Sequence, residues 1–326
     1  MGKICLQFLF IILANSFIAE VYSSAKFTFV NKCEYTVWPG ILSNAGIAQL
    51  QTTGFALQNG ESREVDAPSS WGGRFWGRTH CADDSTGKFS CGTGDCGSGN
   101  LECTGGGAAP PATLAEFTLD GADGKDFYDV SLVDGYNLPM LVVPQGGSGD
   151  NCSNTGCLVD LNSPCPSEMR VTSADGAGVA CKSACEAFDE DQYCCRGAYG
   201  TPDVCKPTQY SLLFKNACPH AYSYAYDDGT STFTCAGASA YTITFCPSPN
   251  TSQKSSSGGS NPGSDGSNPG SDSSNNNNNS AMDGNMVYDG AYVTNTASSI
   301  TCSHVVGGAI AIAAAMWRLC DHQHFV

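Results

Sequence analysis

The number of cysteines limits the fold more than any other feature. The chain of 326 residues contains 19 Cys, whereas the cytosol keeps thiols reduced and gives them little structural use. Three of them, Cys5, Cys302 and Cys320, lie near the ends. The other 16 lie between Cys33 and Cys246. An even number inside one segment predicts a disulfide framework formed in an oxidising compartment.

Two details bear on how these cysteines are used. The spacings Cys91-x4-Cys96 and Cys181-x3-Cys185 would also suit a zinc site, but secretion favours disulfides, so we expect no metal. Cys194 and Cys195 are neighbours, and a bond between adjacent residues would be strained, so we expect each to have a different partner. Spacing alone leaves the pairing open.

The N-terminus resembles a secretory signal peptide. Lys3 precedes an apolar run over residues 4–18, and the small residues Ser23, Ser24 and Ala25 follow. The alternative, a membrane-spanning helix, needs about 20 apolar residues, more than this run has. We predict a signal peptide over residues 1–24. Cleavage after Ser24 or after Ala25 fits, and the second places small residues at both required positions.

The C-terminal part has a different composition. Residues 250–304 are rich in Ser, Gly and Asn and contain a repeated Gly-Ser-Asn-Pro-Gly-Ser-Asp, which predicts a disordered linker. An apolar stretch, 305–317, opens the tail 305–326 and resembles a glycosylphosphatidylinositol (GPI) attachment signal. The polar residues 318–326 depart from that pattern. An unprocessed tail and a membrane-spanning segment are the alternatives, and 13 apolar residues are short for the latter.

The charge of the chain excludes one class of partner. There are 15 Lys+Arg against 31 Asp+Glu, a net charge of −16, and residues 25–249 alone carry −13. Nucleic-acid affinity depends on clustered Lys and Arg, so we expect no nucleic-acid partner. Attraction to anionic membranes is disfavoured for the same reason, which leaves membrane association to a lipid anchor.

Short alternating segments indicate β-structure. They are rich in β-branched and aromatic residues and are separated by Gly, Pro, Asn and Asp: Lys26–Val30, Tyr35–Trp38, Phe127–Val133 and Tyr241–Phe245. These strands predict an antiparallel sandwich. One helix is predicted, over Cys181–Tyr193. The segment 152–205 has eight cysteines and few apolar runs, so we expect disulfides to hold it together.

Several motifs resemble a known family. The longest reads Gly-Lys-Phe-Ser-Cys-Gly-Thr-Gly-Asp-Cys-Gly-Ser-Gly-Asn-Leu-Glu-Cys over residues 87–103. The others are Trp76–Thr79, Thr113–Phe117, Asp134–Met140, Tyr193–Cys195 and Ala221–Tyr224. From Ala25 to Cys246 the chain resembles the thaumatin-like, pathogenesis-related proteins of plants.

The resemblance implies an all-β fold. It is a flattened antiparallel β-sandwich of about eleven strands, with a disulfide-rich subdomain containing a short helix. The thaumatin-like domain would span 25–249, with subdomain I at 25–78, 112–158 and 219–249, subdomain II at 159–218, and subdomain III at 79–111. The implied disulfides are Cys33–Cys246, Cys81–Cys91, Cys96–Cys103, Cys152–Cys235, Cys157–Cys218, Cys165–Cys181, Cys185–Cys194 and Cys195–Cys205.

The resemblance also implies an acidic cleft. Glu116 and Asp134 would be its catalytic residues, with Glu116 as the proton donor, acting on β-1,3-glucan. Arg74, Asp129 and Asp228 would bind the substrate. Crowded carboxylates raise at least one pKa, as a general acid near neutral pH requires. Glycoside hydrolysis needs one protonated and one charged carboxyl group.

The predicted cleft residues and their neighbours also have alternative interpretations. Asp129 and Asp134 could serve solubility or local hydrogen bonding. Phe75, Trp76 and Tyr136 adjoin the cleft positions and are either sugar-stacking surfaces or core residues. His220 stands where the family usually has Asp, and we assign it no role. Sequons that permit N-glycans begin at Asn151, Asn250 and Asn278.

Two hypotheses follow. The first is a secreted or surface-tethered, antifungal plant defence protein that binds β-1,3-glucan and hydrolyses it slowly, as an endo-β-1,3-glucanase. The second is a non-enzymatic module that binds a cell-wall polysaccharide or a protein. Under both we expect a monomer that uses no cofactor.

Overall fold

The computed structural model describes residues 23–248, which contain twelve strands and four short α-helices. The strands are β1 (Ser23–Asn31), β2 (Trp38–Ser43), β3 (Ser62–Pro68), β4 (Gly72–Asp83), β5 (Phe89–Thr93), β6 (Leu114–Thr118), β7 (Lys125–Ser131), β8 (Met140–Ser148), β9 (Thr155–Cys157), β10 (Arg170–Thr172), β11 (Gly178–Cys181) and β12 (Phe233–Phe245). The helices are α1 (Ala184–Phe188), α2 (Asp191–Cys194), α3 (Gln209–Ala217) and α4 (Asp228–Ser231). Two 3-10 turns lie at Ala122–Gly124 and Gly197–Tyr199.

Ten strands form one hydrogen-bonded network, and the long strand β12 joins its two halves. The order is β2-β4-β6-β7-β12-β1-β3, with β5 on β4 and with β8 and β9 on the other edge of β12. β12 pairs with β7 at its start, over 233–236. Farther along, over 240–245, it pairs with β1 on one side and β8 on the other. β12 is therefore shared by both layers of the sandwich.

The two layers meet at an aromatic core. The ring centroid of Phe27 in β1 lies 4.6 Å from that of Phe75 in β4 and 4.8 Å from that of Phe117 in β6. Phe29, two residues along β1, lies 5.2 Å from Phe75. Alternate residues of a strand point to the same face, so the inward positions of β1, β4 and β6 form this core. The predicted β-sandwich is confirmed.

The sandwich departs from the antiparallel arrangement at one strand pair. β1 and β12 run parallel, with Phe27 beside Tyr241 and Phe29 beside Ile243. Parallel neighbours cannot be joined by a tight hairpin. Almost the whole described chain lies between β1 and β12, so the connection is long enough for the two strands to pair in parallel.

The predicted strand at 35–38 is shifted. β2 begins at Trp38 and continues through Pro39 and Gly40 to Ser43, whereas Tyr35 is exposed. Pro39 and Gly40 give a turn signal in the sequence, but β2 is an edge strand, where proline is tolerated. Gly40 packs on Trp76, since a Cβ there would lie 2.4 Å from the indole ring.

The single helix predicted over Cys181–Tyr193 is also wrong. Cys181 ends β11, and α1 begins after Ser183, whose hydroxyl accepts a hydrogen bond from the Glu186 amide. Asp189 ends α1 in the left-handed conformation, with φ 53°, and α2 follows. The longest helix, α3, was not predicted. It begins with a capping box between Thr208 and Ser211.

Eight disulfides cross-link the described residues, and they are the pairs that the resemblance implies. Their positions are Cys33–Cys246, Cys81–Cys91, Cys96–Cys103, Cys152–Cys235, Cys157–Cys218, Cys165–Cys181, Cys185–Cys194 and Cys195–Cys205. The adjacent Cys194 and Cys195 do go to different partners.

Several predictions fall outside the described residues. They are the signal peptide up to residue 22, the linker, the tail, and the sequons at Asn250 and Asn278. The strand β1 already includes Ser23 and Ser24, and Ala25 is buried beside Ala67 of β3. Within 23–248 none of the helices has the length and apolar character needed to cross a bilayer.

Candidate active site

Three of the five predicted site residues lie side by side on neighbouring strands. Arg74 of β4 is directly opposite Glu116 of β6, and Glu116 is directly opposite Asp129 of β7. Residues opposite each other in a sheet point to the same face. Phe75 and Phe117, one position along, point into the core. The three polar side chains therefore share the outer face of this layer.

An ion pair joins the first two residues. Arg74 Nη2 lies 3.5 Å from Glu116 Oε1, and the side chains are 36% and 16% exposed. Both are partly accessible, so solvent or a ligand can reach the pair. Two buried atoms nearby lack a hydrogen-bond partner among the described residues: Arg74 Nε and Asp129 Oδ2. Leaving a buried polar atom without a hydrogen-bond partner costs free energy. A ligand that bonded to these two atoms would remove that cost.

Asp129 is the most perturbed of these groups. Burial raises the pKa of Asp129 well above its usual range, and the neighbouring charges of Glu116 and Asp228 act in the same direction. The charge of Arg74 opposes them. Burial disfavours the charged form of an acid, so Asp129 holds its proton at a pH where an exposed aspartate is ionised.

Asp228 approaches from a remote part of the chain. It is the first residue of α4, and its Oδ1 accepts a hydrogen bond of 2.8 Å from the hydroxyl of Tyr222. The backbone of Tyr222 is bonded to β7 and to the residue that follows it: its amide donates to the Val130 carbonyl, and its carbonyl accepts from the Leu132 amide. Tyr222 thereby connects Asp228 to the strand that carries Asp129.

Asp134 lies in the turn after β7. Its carbonyl accepts a hydrogen bond from the Ala112 amide. Two residues on, Tyr136 exchanges two backbone hydrogen bonds with Cys181, at the end of β11. Burial raises the pKa of Asp134, and the charge of Arg74 partly offsets this. Arg74 thus acts on both Asp129 and Asp134, and the five predicted residues form one acidic cluster: Arg74, Glu116, Asp129, Asp134 and Asp228.

Sequence reasoning missed one acid close to this cluster, Glu186 of α1. Burial raises the pKa of Glu186, with a further contribution from the charge of Asp134, while Lys182 opposes the rise. The backbone bonds between Tyr136 and Cys181 bring the turn of Asp134 to the start of α1. The sequence contains no signal for this approach, because the two segments are about 50 residues apart and the bridge between Tyr136 and Cys181 forms only in the folded chain.

The three aromatic residues next to the cluster are core residues. Phe75, Trp76 and Tyr136 are fully buried, so they provide no stacking surface for a sugar. The Trp76 indole donates to the Gly94 carbonyl at 2.8 Å, and the Tyr136 hydroxyl donates to the Val159 carbonyl at 3.0 Å. His220 is exposed, and its ring lies 5.7 Å from that of Phe233.

The carboxyl groups of the cluster lie in different electrostatic environments. Asp129 and Asp134 have raised pKa values, while Glu116 faces the cation of Arg74. A set of carboxyl groups of which some carry protons can donate hydrogen bonds and also accept them from hydroxyl groups. No group of three or more metal-ligating side chains occurs within 23–248. The arrangement suits a polyhydroxyl ligand.

Comparisons with known proteins identify relatives. The chain matches the thaumatin family over residues 31–247. It is 59% identical to thaumatin-like protein 1 of Pyrus pyrifolia, over 70% of this chain and 93% of that protein. It is 55% identical to the glucan endo-1,3-beta-glucosidase of Prunus avium, over 69% and 91%.

Among solved structures, the thaumatin-like xylanase inhibitor is 24% identical, with a TM-score of 0.37. That similarity covers 68% of this chain and 99% of the inhibitor, and it is too low to carry an argument about function. The family match covers more than half of the chain, and the relatives above are more than half identical to it. The chain therefore belongs to the thaumatin family.

Proposed function

We propose that this protein is a secreted plant defence protein that binds β-1,3-glucan at the acidic cluster and hydrolyses it slowly. The observation that carries the proposal is the register of β4, β6 and β7, which aligns Arg74, Glu116 and Asp129 on one outer face. The name of the Prunus avium relative, a glucan endo-1,3-beta-glucosidase, supports the choice of substrate.

The catalytic roles follow from what glycoside cleavage requires. One carboxyl group must protonate the glycosidic oxygen, and an ionised one must stabilise the positive charge on the sugar or activate water. We assign the first role to Glu116 and the second to Asp134, so Asp134, whose pKa burial raises, must still be ionised at the working pH. Arg74, Asp129 and Asp228 would orient the sugar hydroxyls. Asp129, when protonated, can donate a hydrogen bond as well as accept one.

A second function is favoured by one specific contact. The guanidinium of Arg74 lies 3.5 Å from Glu116, and a neighbouring cation stabilises a carboxylate, whereas a proton donor must carry its proton. Under this alternative the cluster recognises the polysaccharide without cleaving it. The ion pair would have to open before Glu116 could act as an acid, which is consistent with slow turnover.

One experiment separates the two functions. The purified chain is incubated with insoluble linear β-1,3-glucan, and co-sedimentation and reducing ends are both followed. Glu116→Gln and Asp134→Asn are compared with wild type, and Glu64→Gln, a carboxylate exposed on β3, is the matched control. Release that both site variants abolish, with binding retained, supports hydrolysis.

The other outcomes are also informative. Binding without release by the wild type would leave the non-enzymatic function. The absence of both binding and release in the wild type would refute glucan recognition. Release by both variants at the wild-type rate would remove Glu116 and Asp134 from the mechanism.

The cellular location is part of the proposal. Eight disulfides need an oxidising compartment, which supports secretion through the signal peptide. We further propose that the tail 305–326 directs attachment of a lipid anchor. Treatment of expressing plant cells with a phosphatidylinositol-specific phospholipase should release the protein, and deletion of 305–326 should send it directly to the medium. Retention after phospholipase treatment would refute the anchor.

A further inference from the structure

A concave feature lies on the same outer face, next to Trp38. It is a cavity of about 320 Å³ whose lining includes Trp38, Asp83, Phe89, Asn100 and Leu101. We call it the Trp38 pocket. Its size falls at the lower end of the range for small-molecule sites, about 300–1,000 Å³.

The Trp38 pocket is separate from the acidic cluster. Trp38 pairs with Arg78 on β4, whereas the cluster begins at Arg74, four residues earlier. This spacing corresponds to about 13 Å along an extended strand. Trp76 lies between the two sites and is fully buried, with its indole bonded to the carbonyl of Gly94. The loop that contains Gly94 therefore divides the outer face.

A buried cation fixes the walls of the pocket. The Arg78 side chain is fully buried; its Nε donates to the Trp38 carbonyl at 3.0 Å and its Nη2 to the Leu101 carbonyl at 2.7 Å. Its guanidinium carbon lies 5.4 Å from the ring centroid of Phe89. Burial lowers the pKa of Arg78 to about 10, so it remains charged at neutral pH. One side chain thereby ties together three parts of the lining.

Two disulfides add rigidity. Cys81–Cys91 joins β4 to β5 close to Asp83 and Phe89, and Cys96–Cys103 closes the loop that carries Asn100 and Leu101. A site built on cross-linked elements keeps its shape without a ligand, which reduces the entropy lost on binding. The Trp38 pocket is therefore preformed.

The lining combines an aromatic surface with polar groups, of which Asn100 already donates from its side-chain amide to the Ser98 carbonyl at 3.0 Å. The rings of Trp38 and Phe89 are half-buried and meet edge to face, with centroids 6.4 Å apart. One side of Phe89 is taken by Arg78, which leaves Trp38 as the stacking surface. Asp83 and Asn100 are exposed at the rim, and Asp83 forms no side-chain ion pair with any residue of 23–248.

These features match a neutral sugar. The C–H face of a pyranose packs on the negative face of an indole ring, and its hydroxyls can donate to Asp83 and exchange hydrogen bonds with Asn100. The domain's net charge of −13 disfavours an anionic ligand. We propose that the Trp38 pocket binds one glucosyl unit of a β-1,3-glucan, as a second carbohydrate site distinct from the acidic cluster. The choice of glucan rests on the proposed function.

Tryptophan fluorescence of the full chain provides the test. Trp71 and Trp76 are fully buried, so among the described tryptophans Trp38 alone is open to a ligand. The probe is a five-unit linear β-1,3-glucan oligosaccharide. We expect a saturable change of emission that disappears in Trp38→Phe and persists when Arg74→Ala and Asp228→Ala remove two side chains assigned to sugar binding at the acidic cluster.

A variant that keeps the fluorophore tests the contacts. Asp83→Ala with Asn100→Ala removes two exposed side chains and should weaken the affinity seen by fluorescence about tenfold, since each hydrogen bond contributes roughly 0.5–1.5 kcal/mol. The exposed Asp203→Ala is the matched control. A wild type without an emission change, or an unaltered affinity in the double variant, would overturn the proposal.

The acidic-cluster variant separates the two sites. An emission change that the double variant Arg74→Ala with Asp228→Ala abolishes would place the sugar at the acidic cluster, which refutes the second site and leaves the proposed function standing. Conversely, a tryptophan emission change that persists in this acidic-cluster variant would support sugar binding in the Trp38 pocket.

Discussion

The ion pair between Lys215 and Asp227 connects α3 to the segment that carries Asp228. Lys215 Nζ lies 2.9 Å from Asp227 Oδ2 and also donates to Ser231 Oγ at 2.8 Å and to the Ala221 carbonyl at 3.1 Å. The two charged side chains are only 19% and 12% exposed. We therefore expect Lys215→Met to be strongly destabilising, because it leaves a buried carboxylate without its cation.

The size of the effect follows from the contacts that remain. Breaking a buried ion pair by removing one partner costs about 3–5 kcal/mol. Asp227 Oδ2 keeps two hydrogen bonds from Ser223, from its amide and its hydroxyl, so the lower end of that range applies. For a domain of this size, a loss of about 3 kcal/mol lowers the melting temperature by about 6–12 °C.

Thermal and urea unfolding under non-reducing conditions measure the loss. The matched control is Lys26→Met, because Lys26 is 2.7 Å from Glu64 but their side chains are 44% and 58% exposed. Exposed pairs contribute little, so the melting temperature of this control should stay within error of wild type. Adding Asp227→Asn to Lys215→Met should recover part of the loss, since it removes the uncompensated charge.

Two results would refute this reasoning. Equal destabilisation by Lys215→Met and Lys26→Met would mean that burial does not decide the strength of these pairs. A double variant less stable than Lys215→Met alone would mean that the lost cation is not the cause. Because the pair lies next to Asp228, Lys215→Met should also weaken glucan co-sedimentation more than Lys26→Met does.

Two further predictions concern charge and cross-links. The folded-state pKa of Asp129 is raised above that of the unfolded chain, so its contribution to stability is present below the unfolded pKa and is lost as the pH rises through the folded one. Asp129→Asn should remove this decline in urea titrations between pH 4 and 8, by about 1.4 kcal/mol for each unit of raised pKa, and an unchanged pH profile would contradict the burial argument. Disulfide removal should depend on loop length: replacing Cys33 and Cys246, 213 residues apart, should cost about 5 kcal/mol, and replacing Cys185 and Cys194, 9 apart, about 3 kcal/mol. Calorimetry that ranks the two pairs in the reverse order would contradict the chain-entropy explanation.

Much of the fold could be predicted from local patterns. The even number of cysteines within one segment indicated a disulfide framework, and alternating aromatic and β-branched residues indicated a sandwich. Both are short-range properties that composition and a period of two residues record directly. The motifs around Cys91 and Cys96 carried the family resemblance, and with it the eight pairings and five site residues.

Local patterns failed where a remote contact decides the conformation. The predicted helix over 181–193 is interrupted at Asp189, and the Pro39-Gly40 pair lies in a strand because β2 is at an edge and packs on Trp76. Periodicity reports which face of an element is apolar. It does not report which element will cover that face.

The acidic cluster shows the same division. The sequence by itself determined that Arg74, Glu116 and Asp129 alternate with core residues on their strands. Only the tertiary structure decided that they are directly opposite one another, because strand register and partner choice depend on the whole sheet. Three other features likewise arise where distant segments meet: the burial of Asp129, the approach of Glu186, and the hydrogen bonds of Arg78 beneath the Trp38 pocket. The sequence does not show them, since charge interactions depend on distance in space rather than along the chain.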